Sequence, residues 1–170
     1  MANARHNLGL VFAVSPSAIG EPGKRQFRIT AEGPGGSVVL WVEKQQLQDL
    51  ALAIHRILAT HSHEGDAQPA EKDAASTPSQ TLDFRAGVIA LEYEEASRTF
   101  QMEADDRTAR KGAPPLVRLL ISREQGRGLA ERALEVCAAG RPQCPLCFAP
   151  VDPGEHHVCP MANGHVKHLA

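Results

Sequence analysis

RQFRITAE (residues 25–32) and RTFQMEAD (residues 98–105) are the two segments on which the architecture of this chain turns. Each alternates apolar and polar side chains, with Phe27, Ile29 and Ala31 in the first and Phe100, Met102 and Ala104 in the second. That period of two belongs to a half-buried strand. The segments share Arg, Phe and Ala at equivalent places, and Glu32 is matched by Asp105. A second match lies downstream of each. VEKQQLQDLA (42–51) and ISREQGRGLA (121–130) share Gln46/Gln125, Leu50/Leu129 and Ala51/Ala130, with Lys44 matched by Arg123. The extra residues of the second copy fall in 105–115, a polar loop where insertion costs little. Two matches in one order predict a duplicated unit.

Working outward, the first copy reads as strands Leu8–Ser15, Arg25–Ala31 and Ser37–Val42, followed by a helix over Lys44–Ala59. In that helix Leu47, Leu50, Ala51, Ile54, Ile57 and Leu58 fall on one stripe. The second copy reads as strands Phe84–Tyr93, Arg98–Ala104 and Leu116–Ile121, then a helix over Arg123–Ala139. Ser122 and Gln125 have the spacing of a capping box. Gly126 and Gly128 cost that helix about 1 kcal/mol each against Ala, which predicts close packing on the sheet. The expected fold class is α+β: a duplicated strand-strand-strand-helix repeat, with antiparallel sheets and one helix per repeat, plus a small zinc-ribbon or knuckle-like tail. Residues 1–140 form the body, with repeat one at 8–59, a linker at 60–82 and repeat two at 83–140. Residues 141–170 form the tail.

The linker is rich in Ala, Ser, Thr, Pro, Asp and Glu and has no apolar period, so it reads as disordered. His61 and His63 lie in it and read as solvated side chains. A net charge of −2 over 170 residues argues against a strong field for nucleic acid or an anionic membrane. The apolar run Leu8–Val14 is too short to span a bilayer. Leu8–Val14 and its flanks read as a buried strand and not as a full secretory leader, so the four cysteines are expected in a reducing, cytoplasmic setting in which clustered thiols hold metal.

The cluster is CPLCFAPVDPGEHHVCPMANGH, residues 144–165. Cys144 and Cys147 form a C-x-x-C step, and Asp152-Pro153-Gly154 reverses the chain to bring His157 and Cys159 back to it. Three thiolates and an imidazole fill a tetrahedral zinc site with no open position, which makes the metal structural. His156 and His165 are alternates for the histidine ligand. A redox C-x-x-C belongs at a helix start after a strand, whereas this one follows a helix. A zinc deaminase needs an H-x-E upstream of P-C-x-x-C, and neither half is present. Cys137 sits on the apolar stripe of the second helix and reads as a core residue.

AAGRPQCPLC (138–147), DPGEHHVCPMANGH (152–165) and VEKQQLQDLA together resemble an uncharacterised bacterial, mainly actinobacterial, family: domain of unknown function 3090. Its pattern is GRPxCPLCG, a DP turn, a GHxCP step and NGY. The resemblance implies a cytoplasmic protein with a metal-knuckle tail and brings no activity with it. Cys144, Cys147, His157 and Cys159 fall on the family's ligand positions. Phe148, the Glu155-His156 step and His165 depart from the pattern.

No Ser-His-Asp set, paired buried carboxylates or phosphate cradle is visible. The expected function is therefore a non-enzymatic binding or adaptor module with a structural Zn2+ site, and a protein as partner. One alternative is a single-stranded nucleic-acid binder, since the order of elements resembles that of Pur-type and Whirly-type proteins. It would place Arg25, Arg28, Arg85, Arg98 and Arg118 on one sheet face. The other alternative is an enzyme with its site between the repeats. No membrane association is expected.

Overall fold

The strand-length alternation and the two amphipathic stripes fold as their periods require. In the computed structural model, residues 4–21, 23–61, 81–139, 146–147 and 158–159 are described. The strands are β1 (His6–Leu10), β2 (Ala13–Ile19), β3 (Gln26–Gly33), β4 (Gly36–Val42), β5 (Thr81–Glu94), β6 (Thr99–Asp106) and β7 (Val117–Ser122). Helix α1 (Lys44–Thr60) follows β4, and helix α2 (Arg123–Ala138) follows β7. No described helix is long and apolar enough to cross a membrane.

All seven strands belong to one sheet in the order β1-β7-β6-β5-β4-β3-β2. The expectation of antiparallel sheets needs correction here, because β4 pairs with β5 and β1 with β7 in parallel. A parallel neighbour requires a crossover, and the connection through α1 supplies the one between β4 and β5. The sheet is therefore mixed. A second correction concerns Leu8–Ser15, expected as one strand. It divides at Val11 and Phe12 because the chain changes partners there. Val11 N–H donates to Leu120 O of β7 at 2.8 Å, and Phe12 N–H donates to Glu32 O of β3 at 3.0 Å.

That partner change closes the sheet. β1 and β2 are the two ends of the strand order, yet only two residues separate them in the chain. The sheet must roll until its ends meet. Where they meet, Gly35 N–H donates to Leu8 O at 3.1 Å. A Cβ on Gly33 would lie 2.5 Å from the same carbonyl oxygen, so that seam requires glycine.

The inner face is built from in-register apolar pairs. In the first half these are Phe27–Val42, Ile29–Leu40 and Ala31–Val38. In the second they are Phe100–Ile121, Met102–Leu119 and Ala104–Val117. Every one of these side chains is buried. Leu47, Leu50, Ala51, Ile54 and Leu58 of α1 join them, as do Leu129, Ala130, Ala133 and Cys137 of α2, in a single core. The helices pack against each other, and α2 also lies along β2. The end of each helix sits beside the start of the other: Arg123 Nη2 donates to His61 O at 2.9 Å, and Cys137 Sγ lies 3.9 Å from Lys44 O.

The two helix starts are built alike. Ser122 N–H donates to Gln125 Oε1 at 2.9 Å, and Gln125 N–H donates to Ser122 Oγ at 3.1 Å, forming the expected box. At α1, Glu43 N–H donates to Gln46 Oε1 at 2.8 Å. Each glutamine then uses its amide N–H2 across a strand seam. Gln46 Nε2 donates to Gly87 O at 2.7 Å and Gln125 Nε2 to Val11 O at 2.9 Å. Gly126 packs as expected, since a Cβ there would lie 2.5 Å from the Phe100 ring. Gly128 does not; its nearest neighbour would be Arg132 Nη2 at 3.7 Å.

Candidate functional site

Of the residues expected to hold zinc, Cys147 and Cys159 are described, and both are half-buried. Cys144 and His157, together with the alternates His156 and His165, lie outside the described residues. Among the described residues no group of three or more His, Cys, Asp or Glu gathers as a metal site. Cys137 is a core residue, and burial pushes its thiol pKa up, which favours the neutral form.

His61 corrects its sequence reading. It ends α1 rather than floating in a linker, with its N–H donated to Ile57 O at 3.1 Å. Its ring lies 5.0 Å from that of Tyr93, and Nδ1 is 3.5 Å from Glu95 Oε1. Tyr93 in turn stacks at a tilt on Phe100 and accepts from Arg123 Nη1 at 3.2 Å. This cluster ties the end of α1 to β5 and the start of α2. His63 lies outside the described residues.

The inner face holds little chemistry. Among the described residues the one buried polar side chain is Ser122, and it is spent on the helix cap. Polar side chains gather instead on the outer face. Across β2, β3, β4 and β5, Ser17, Arg28, Trp41 and Arg85 stand in register as one row. Trp41 Nε1 donates to Asp83 Oδ1 at 2.8 Å, which fixes the indole over the β4–β5 seam. The Arg28 guanidinium sits 5.8 Å from the indole centroid, within cation–π range, and its Nε donates to Ser17 Oγ at 3.0 Å. Beside this row, Thr30 Oγ1 donates to Ser15 O at 3.3 Å, and the Ser37 and Thr81 hydroxyls share a hydrogen bond of 2.9 Å.

The corresponding row across β5, β6, β7 and β1 is Glu92, Gln101, Leu120 and Leu10. There Arg118 pairs with Glu103 at 2.6 Å. Three of the five arginines, Arg28, Arg85 and Arg118, stand on the outer face, on different halves of the sheet, and the other two lie outside the strands. Arg28 and Arg85 flank Trp41, Arg118 lies on the other half, Arg25 precedes β3, and Arg98 occupies the β5–β6 turn with φ of 53°. The outward phase of Trp41 was not readable from SVVLWV, which is apolar at five successive positions. Its alignment with Arg28 and Arg85 depends on strand register, which no local pattern specifies.

Searches among curated proteins and among solved structures return no match. A family profile described as protein of unknown function (DUF3090) matches residues 6–159, from β1 through Cys159, and the chain belongs to that family.

Proposed function

We propose that this protein is a non-enzymatic binding or adaptor module, in which a body made of two copies of one unit carries a tail held by a structural zinc ion. The observation that carries the zinc assignment is spacing: Cys144-x-x-Cys147 and His157-x-Cys159 stand on either side of Asp152-Pro153-Gly154. Three thiolates and one imidazole are the donor chemistry zinc takes in closed sites, so the ion organises the tail and activates no water. Such thiols persist in a reducing compartment, in keeping with a cytoplasmic protein.

Duplication is supported by the matched pairs Phe27–Val42 and Phe100–Ile121, and by the twin roles of Gln46 and Gln125. A binding role is supported by the outer face of β2–β5, where Ser17, Arg28, Trp41 and Arg85 stand in register as one row. The test is metal analysis of untagged, freshly reduced protein. About one equivalent of zinc is expected, and Cys147→Ser should release it while the body stays folded by circular dichroism. Less than about a tenth of an equivalent would overturn the zinc reading. Retention of zinc by Cys147→Ser would overturn the ligand set. Capture from native lysate with and without residues 141–170 then reads whether the tail presents the partner surface.

A further inference from the structure

From the row Ser17–Arg28–Trp41–Arg85 we infer that the outer face of β2–β5 binds single-stranded nucleic acid, with a base on Trp41 and the flanking phosphates on the two guanidiniums. This rests on reading the body as a binding module and is independent of the zinc tail.

Four observations carry it. Trp41 is half-exposed, and its bond to Asp83 holds the ring in one orientation, as a stacking platform requires. Arg28 and Arg85 sit one strand to either side of it, so roughly 10 Å separates their backbones. Among the described residues neither guanidinium makes an ion pair; of the nearby carboxylates, Asp83 accepts from the indole N–H, Glu43 pairs with Arg107 and Asp105 accepts from Val88 N–H. Ser15, Ser17, Thr30, Ser37 and Thr81 surround the row with hydroxyls, the groups that meet sugar and phosphate oxygens.

The other half of the sheet is the internal comparison. At the corresponding positions it has Glu92, Gln101, Leu120 and Leu10. Its nearby cation, Arg118, is neutralised by Glu103. The same backbone framework thus carries an aromatic, cationic row on one side and a row without aromatic ring or cation on the other. An aromatic platform between two guanidiniums free of ion pairs suits a base with its phosphates better than a peptide, which does not carry an aromatic ring and an anion at every residue.

The comparison also supplies variants that the framework accommodates. Trp41→Leu and Arg28→Gln each place on the first half the residue found at the matching position of the second. Trp41 is the sole tryptophan, so its fluorescence reports on this face alone. The experiment titrates the full-length, zinc-loaded chain with a mixed-sequence single-stranded 15-mer at low salt, reading tryptophan quenching and oligonucleotide anisotropy. Saturable quenching is expected at or below about 100 µM, the weak end of sequence-independent binding at physiological salt. Trp41→Leu should weaken binding about fivefold or more by anisotropy. Arg28→Gln with Arg85→Leu should weaken it at least about tenfold and flatten the salt dependence by roughly one to two units of slope. No binding up to about 100 µM would overturn the inference. So would equal binding by the row variants, or quenching by an acidic peptide and not by the oligonucleotide. Zinc content measured on the same samples separates loss of this face from loss of the tail.

Discussion

Two glycines one turn into α2 show how a single residue is judged by its neighbours. Gly126 faces the Phe100 ring, itself fully buried between β6 and the helix, and an added Cβ must displace that ring. Overpacking of this kind costs about 1–3 kcal/mol, more than the roughly 1 kcal/mol of helix propensity that Ala restores. Gly128 faces open space with only the end of the Arg132 side chain in reach. Gly126→Ala should therefore destabilise, and Gly128→Ala should stabilise by about 0.5–1 kcal/mol, in urea unfolding. Equal effects from both would show that the Phe100 contact does not decide the matter. Sequence alone treats the two as the same residue at the same cost. The difference lies in which way each Cα faces.

At the scale of elements, the helix starts are also the joints between helix and sheet. Gln46 and Gln125 each accept from the N-cap backbone and donate to a carbonyl across a parallel seam, Gly87 O on β5 and Val11 O just past the end of β1. Substitution by Glu separates these duties. A carboxylate caps a helix start well and suits the positive end of its dipole. It cannot donate, so it leaves Val11 O without its partner and brings negative charge toward that oxygen. Gln125→Glu should cost about 1–3 kcal/mol in urea unfolding despite its better capping. If Gln125→Glu is as stable as the natural chain, the bond to Val11 O carries no weight. The capping half of this device follows from S-x-x-Q spacing. The seam half appears only once β1 lies beside β7.

For the whole molecule, closure of the sheet is the feature that β1 controls. Leu8 sits on β1, at one end of the strand order, yet it is 1% exposed because β1 is held between β7 and the β3–β4 turn. Leu8→Ala should cost about 2–5 kcal/mol, the range for a core leucine, in urea unfolding. A loss below about 1 kcal/mol would mean that the ring is open in solution. What the sequence determined by itself was local: the alternation of RQFRITAE and RTFQMEAD, the stripes of both helices, the Ser122 box, and the Cys and His spacing from Cys144 to Cys159 on which the proposed zinc site rests. Each depends on residues a few positions apart, where side-chain period and turn chemistry act directly. Only the tertiary structure decided that β4 and β5 run parallel, that Leu8–Ser15 divides to join both ends of the sheet, and that Arg28 and Arg85 flank Trp41 while Arg118 meets Glu103. Those outcomes rest on long-range strand register, which is set by burying every inner face at once and not by any segment alone.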